Sequence, residues 1–147
     1  MKVSLIHGPN LNLLGQREAE FYGRESFDDI NRRIKQYGQD RGIEVRIFQS
    51  NHEGEIIDAI QDARIWADAI VINPAAYTHY SYAIRDALTA ARLPAVEVHI
   101  SNIHAREEFR RHSVISPVVA GQIVGMGPFG YLLALDAVQF LVEQSHR

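Results

Sequence analysis

The chain contains no cysteine, which excludes a disulfide framework and thiol chemistry and leaves no mark of secretion. Lysine is almost as scarce, with only Lys2 and Lys35. A Schiff-base mechanism needs a desolvated lysine. Lys2 opens a strand and Lys35 falls on the polar face of a helix, so covalent amine catalysis is not supported. No apolar run approaches the roughly 20 residues that span a bilayer, and no charged-then-apolar leader precedes the first strand. Basic runs are missing too: Arg32-Arg33 and Arg110-Arg111 are the only arginine pairs, and the net charge of -3 argues against a nucleic-acid footprint. Linkers, repeats and low-complexity segments are absent. These gaps point to a soluble, cytoplasmic protein.

At 147 residues and 46% hydrophobic content the chain is expected to fold as one domain over 1–147 with a sizeable core. Strand and helix patterns alternate five times. Val3-Ser4-Leu5-Ile6 reads as a strand. Ser26 caps a helix in which Phe27, Ile30, Ile34 and Tyr37 share one face, with Asp29 placed as in a capping box, and Gly42 closes it. Ile43 to Phe48 is a second strand, followed by a helix that turns Ile56, Ile57, Ile60 and Ala63 inward. Ala69 to Ile72 is apolar throughout, as a strand buried on both faces must be. Tyr82 to Arg92 is a helix stopped by Pro94, and Ala95 to Val98 a fourth strand. A short polar turn near 105–111, a strand from Val118 to Val124 and a helix from Tyr131 to Val142 complete the chain. Such alternation implies an α/β fold with a parallel sheet covered on both sides. Right-handed crossovers and the chain length suggest a flavodoxin-like, doubly wound, five-stranded sheet of order 2-1-3-4-5.

Ligands of such folds sit outside the carboxyl ends of the strands. Polar residues gather at those ends: His7 and Asn10, Ser50 and His52, Asn73, then His99, Ser101 and Asn102. The segment from Gly8 to Arg24 is also too long for a simple connection, which usually takes about 2–6 residues. It carries Asn10, Asn12, Arg17, Glu18, Glu20, Tyr22 and Arg24, with Gly15 and Gly23 as pivots. It reads as a lid over a pocket, the alternative being an ordinary surface loop.

Several chemistries fall away. Gly125-Met126-Gly127-Pro128-Phe129-Gly130 fits G-x-G-x-x-G, but no later strand remains to hold an acidic ribose ligand, and Pro128 suits a plain helix start. The spacing of His99 and His104 matches neither standard zinc pattern, and no G-x-S-x-G elbow is present. General acid–base chemistry remains, using Tyr22 and His99. A free phenol has a pKa of about 10, and an opposite charge within about 4–6 Å lowers a pKa by roughly 1–3 units. Arg17 is a candidate for that charge. On the residues alone Tyr22 reads equally as a base and as an apolar anchor for its loop.

His7-Gly8-Pro9-Asn10-Leu11-Asn12-Leu13-Leu14-Gly15, Arg17-Glu18 and Tyr22-Gly23 resemble the opening of type II 3-dehydroquinate dehydratases. Asn73-Pro74, Thr78-His79-Tyr80-Ser81 and Arg85-Asp86-Ala87 are similar to the family's second block. Glu97 to Asn102 and Arg106 to Ser113 are similar to its third. The resemblance implies a lyase that reversibly dehydrates 3-dehydroquinate to 3-dehydroshikimate through an enolate, without metal or cofactor, in shikimate biosynthesis or quinate breakdown. By the same resemblance Tyr22 is the base, Arg17 favours its ionised form, Asn10 helps to hold the enolate, and His99 is the acid. Asn73, His79, Ile100, Ser101 and Arg110 hold the substrate, and Glu97 orients His99. Asp86 reaches the site of a neighbouring subunit in what is typically a dodecamer built of trimers. Ala19 departs from the family's usual proline, and Ala75 from a frequent glycine. The competing class is a non-catalytic flavodoxin-like protein that binds a small hydroxylated acid, which has no need of a base facing an acid.

Overall fold

The structure is a computed structural model that describes residues 1–16 and 18–146. Five parallel strands, β1 (Lys2–His7), β2 (Glu44–Gln49), β3 (Ala69–Asn73), β4 (Ala95–His99) and β5 (Gly121–Val124), form one sheet of order β2-β1-β3-β4-β5. That is the expected order. β1 pairs with β2 and β3 over most of its length, His7 facing Gln49 on one side and Asn73 on the other. The carboxyl ends of the three strands are therefore level, and the loops that leave them meet at one rim.

Side chains of a strand alternate between faces, and two core layers result. Val3, Leu5 and Val71 pack with Ile30 and Ile34 of α2 (Phe27–Gln39) and with Tyr131, Leu135 and Val138 of α5 (Phe129–Ser145). Ile6, Ile70 and Ile72 pack with Ile56 and Ile60 of α3 (Glu53–Trp66) and with Ile84 and Leu88 of α4 (Tyr82–Ala91). The serine caps are specific: Ser26 accepts from the Asp29 N–H at 3.1 Å, and Ser81 accepts from that of Ile84 at 3.1 Å. No helix of the described residues is long and apolar enough to cross a membrane.

Several boundaries differ from the sequence reading. The lid segment is not irregular throughout: Leu11–Leu13 forms a 3₁₀ turn and Ala19–Tyr22 a single helical turn, α1. Four residues are too few to leave a periodic signal. α2 ends at Gln39, three residues before Gly42. β5 starts at Gly121 because Ser116–Val118 winds into a 3₁₀ turn around Pro117, which has no N–H for a ladder. The polar turn near 105–111 is two 3₁₀ turns, Ile103–Ala105 and Glu108–Arg111.

Candidate active site

β1 and β3 close together at the rim because Gly8 has no side chain. A Cβ there would lie 2.5 Å from the Pro74 carbonyl oxygen, while the Gly8 N–H donates to the Asn73 carbonyl at 2.7 Å. Just beyond, Asn10 and Ala75 both adopt left-handed backbone, with φ of 69° and 53°. In a non-glycine residue that conformation costs about 1–3 kcal/mol and clusters at functional sites. Both residues line a small cavity at the carboxyl end of the sheet.

Four segments build that cavity. The loop after β1 supplies Pro9, Asn10 and Leu11, and the end of α1 supplies Tyr22. The segment after β3 supplies Asn73, Ala75 and His79. β4 and the turns after it supply His99, Ile100, Ser101, Ile103, Arg106 and Arg110. Among the described residues no lining side chain is acidic, and two are guanidinium groups, so the cavity suits an anion. The phenol of Tyr22 and the imidazole of His99 thus share one enclosure.

The two groups are held very differently. His99 is buried, and its Nε2–H meets Glu97 Oε2 at 2.5 Å, which leaves Nδ1 for the cavity. Glu97 is fully buried and gathers its own donors. Thr78 Oγ1 donates to Oε2, and Ser113 Oγ lies 3.0 and 3.1 Å from the two carboxylate oxygens. Burial pushes the Glu97 carboxyl up, but its bond and charge interaction with His99, together with Thr78 and Gln122, bring it below the usual carboxylate range. A carboxylate so placed fixes the ring plane and the tautomer of its histidine. Thr78 thus serves this carboxylate.

On the other wall the Tyr22 hydroxyl receives the Arg106 Nη1–H at 2.8 Å. The same nitrogen lies 3.3 Å from Ser101 Oγ, and the guanidinium stacks 4.3 Å over the Phe21 ring. Arg106 is a candidate functional residue that sequence reasoning did not single out. The demand for a cation beside the phenol was recognised and given to Arg17 on the same loop. Arg17 lies outside the described residues, whereas Arg106 arrives from 84 positions away.

His79 gives its Nδ1–H to the His112 carbonyl at 2.8 Å. Burial lowers its pKa; the bond to His112 offsets part of this, and the charges of His99 and Arg110 add to the lowering. Arg110 is anchored by Glu107 at 3.0 Å. Other expected positions fall elsewhere. Asp86 is exposed on α4 and outside this cavity. Ser50 is occupied at the start of α3, bonding Glu55 at 2.7 Å and the His52 N–H at 2.9 Å. Asn102 caps the turn after β4, accepting from the His104 N–H at 3.1 Å.

Residues 1–139 match the family model described as Dehydroquinase class II. The chain belongs to the class II dehydroquinase family. Its similarity to a 3-dehydroquinate dehydratase of Dictyoglomus turgidum is 61% identity over 138 residues, 94% of this chain and 95% of the relative. A 3-dehydroquinate dehydratase of Thermotoga neapolitana is 54% identical over the full length of both chains. The crystal structure of the type II dehydroquinase of Butyrivibrio crossotus superposes with a TM-score of 0.93 at 54% identity, covering 95% of this chain and 97% of that one. The class II dehydroquinase fold therefore places the rim cavity within a domain type whose named members act as dehydratases.

Proposed function

We propose that this class II dehydroquinase is a hydro-lyase that converts 3-dehydroquinate into 3-dehydroshikimate. The reading is carried by one observation: a phenol backed by a guanidinium and an imidazole backed by a carboxylate line the same anion-suited cavity. Tyr22, as phenolate, removes a proton from the carbon alpha to the ketone. The electrons move onto the ketone oxygen, giving an enolate. His99 then delivers a proton from Nδ1 to the departing hydroxyl, and water leaves.

Arg106 assists the first step, because a guanidinium stays charged at any working pH and its N–H bonds more strongly to an anionic than to a neutral oxygen. Asn10, which lines the cavity, helps to hold the enolate. Arg110 offers a fork for the substrate carboxylate, and Asn73, His79, Ile100 and Ser101 contact its hydroxyls and carboxylate. Glu97 holds His99 in register. Arg17 is assigned to the same charge stabilisation as Arg106, and Asp86 to the site of an adjoining copy in a cytoplasmic dodecamer of trimers, which light scattering would weigh.

The enone product absorbs ultraviolet light. Purified protein mixed with 3-dehydroquinate is expected to generate that absorbance; absence of the signal at micromolar enzyme would overturn the assignment.

A further inference from the structure

Beneath the cavity wall lies a row of polar side chains that ends on Asn73 and whose other members the dehydration chemistry does not use. Tyr131 of α5 and His7 at the end of β1 are fully buried, and Asn73 is 2% exposed. Asn73 Nδ2 donates to the Tyr131 hydroxyl at 2.9 Å, and Asn73 Oδ1 accepts from the Ala75 N–H at 3.0 Å. Tyr131 Oη is 3.1 Å from His7 Nδ1, and His7 Nε2 is 2.9 Å from Oδ1 of half-buried Asn31 on α2. The imidazole is also clamped edge-on by Phe27 and Tyr131, at 4.9 and 5.1 Å between ring centres.

Only one assignment of hydrogens satisfies the whole row. The amide nitrogen of Asn73 can only donate, so the Tyr131 oxygen accepts there and sends its own hydrogen to His7 Nδ1. His7 must then carry its hydrogen on Nε2 and give it to Asn31. Flipping the Asn73 amide would set N–H against the Ala75 N–H and leave buried groups unmatched, at about 1–3 kcal/mol each. The row is directional, and it ends on a carboxamide that lines the cavity.

We propose that the Asn31–His7–Tyr131–Asn73 row fixes the rotation of the Asn73 amide toward the substrate, which makes Tyr131 and His7 positioning residues. One amide hydrogen is committed to Tyr131, and the other is the donor available to a ligand oxygen. The inference rests on the rim cavity being the dehydratase site. The low basicity of His7, whose pKa burial brings down to about 4 against a partial rise from Asn31, keeps the ring neutral as the row requires.

The test is a double-mutant cycle read with 3-dehydroquinate. Tyr131→Phe is expected to lower kcat/KM about tenfold, mainly through KM, in the native background, and less than about twofold when Asn73 is already alanine. Equal losses in both backgrounds, or none in the first, would overturn the proposal. His7→Gln retains an acceptor and a donor and is expected to stay within about threefold of the native value, while His7→Leu shows the Tyr131→Phe loss. A Gln variant as impaired as the Leu variant contradicts the positioning role. Should Tyr131→Phe fail to fold, Asn31→Ala applies the same cycle from the half-buried end. A crystal structure of the variant decides independently of turnover: Asn73 rotated or split between two orientations supports the row, and Asn73 unmoved sinks it. Native enzyme that makes no enone would overturn the dehydratase reading alone, with the crystallographic result still deciding the row.

Discussion

The two walls of the cavity are built on opposite principles. The His99 wall is sheet: β4 is buried at every position, and Glu97, Thr78 and Ser113 lock the imidazole from behind. The Tyr22 wall is loop: one helical turn, α1, between Gly15 and Gly23, whose φ angles of 92° and 79° only glycine adopts without strain. Precision at one wall comes from a fully buried strand and its carboxylate, and at the other from the packing of Tyr22 against Leu11 and Leu14 together with its bond to Arg106. An enzyme that must admit a ligand and then exclude water gains from that asymmetry, since only one wall has to move.

The sharpest way to expose the difference is to remove each reactive wall in turn. Tyr22→Phe is expected to cut kcat by about a thousandfold, within the range for loss of a general base, while thermal melting stays unchanged. Preserved turnover in a continuous absorbance assay would remove Tyr22 from the role of base. Glu97→Ala, by contrast, is expected to damage both activity and stability. It leaves Thr78 and Ser113 without their acceptor and His99 untethered, at a cost of about 2–4 kcal/mol in urea denaturation. If that variant melted like the native protein, the sheet wall would not be the rigid one.

Acid separates the walls more gently. Folded His7 resists protonation, with its pKa moved from 6.5 to about 4, so the unfolded chain binds more protons between those values. Stability is accordingly full above pH 6.5 and falls by about 3 kcal/mol as the pH drops toward 4. His79, also lowered, acts in the same direction. Glu97, depressed below its ordinary 4.5, withdraws its contribution only on further acidification. Denaturation curves of His7→Gln should lose most of the slope between pH 6.5 and 4, and an unchanged slope would assign it elsewhere. The smallest effect is expected at Ala75, whose left-handed backbone favours glycine. Ala75→Gly should stabilise by up to about 1 kcal/mol, and a clear loss in chemical denaturation would show that the methyl group packs usefully.

How far the sequence could be read follows the same division. The sheet wall was legible because buried parallel strands are written as short apolar runs, and the polar residues that interrupt them at Asn73 and His99 mark the rim. Strand order followed from alternation and handedness. The loop wall was legible only as an overlong connection. Its helical turn leaves no period, and Arg106, one partner of Tyr22, comes from a distant segment that no local pattern links to it. Thr78 and Ser113 were hidden for the same reason. A serine or threonine in a turn looks like a cap until the fold brings a carboxylate to it. Ser50 shows the converse, since β2 ends at the same rim but the Ser50 hydroxyl is spent on starting α3.

Every residue that lines the cavity lies at or before Arg110, yet Asn73 leans on Tyr131, which belongs to the last helix. A nascent chain leaving the ribosome therefore displays these wall-forming side chains before the helix that braces Asn73 has emerged. Truncation beyond Arg110 would leave the inventory complete and the workshop unbuilt. Asn73 gains its brace only when the Phe129–Ser145 helix docks on the sheet.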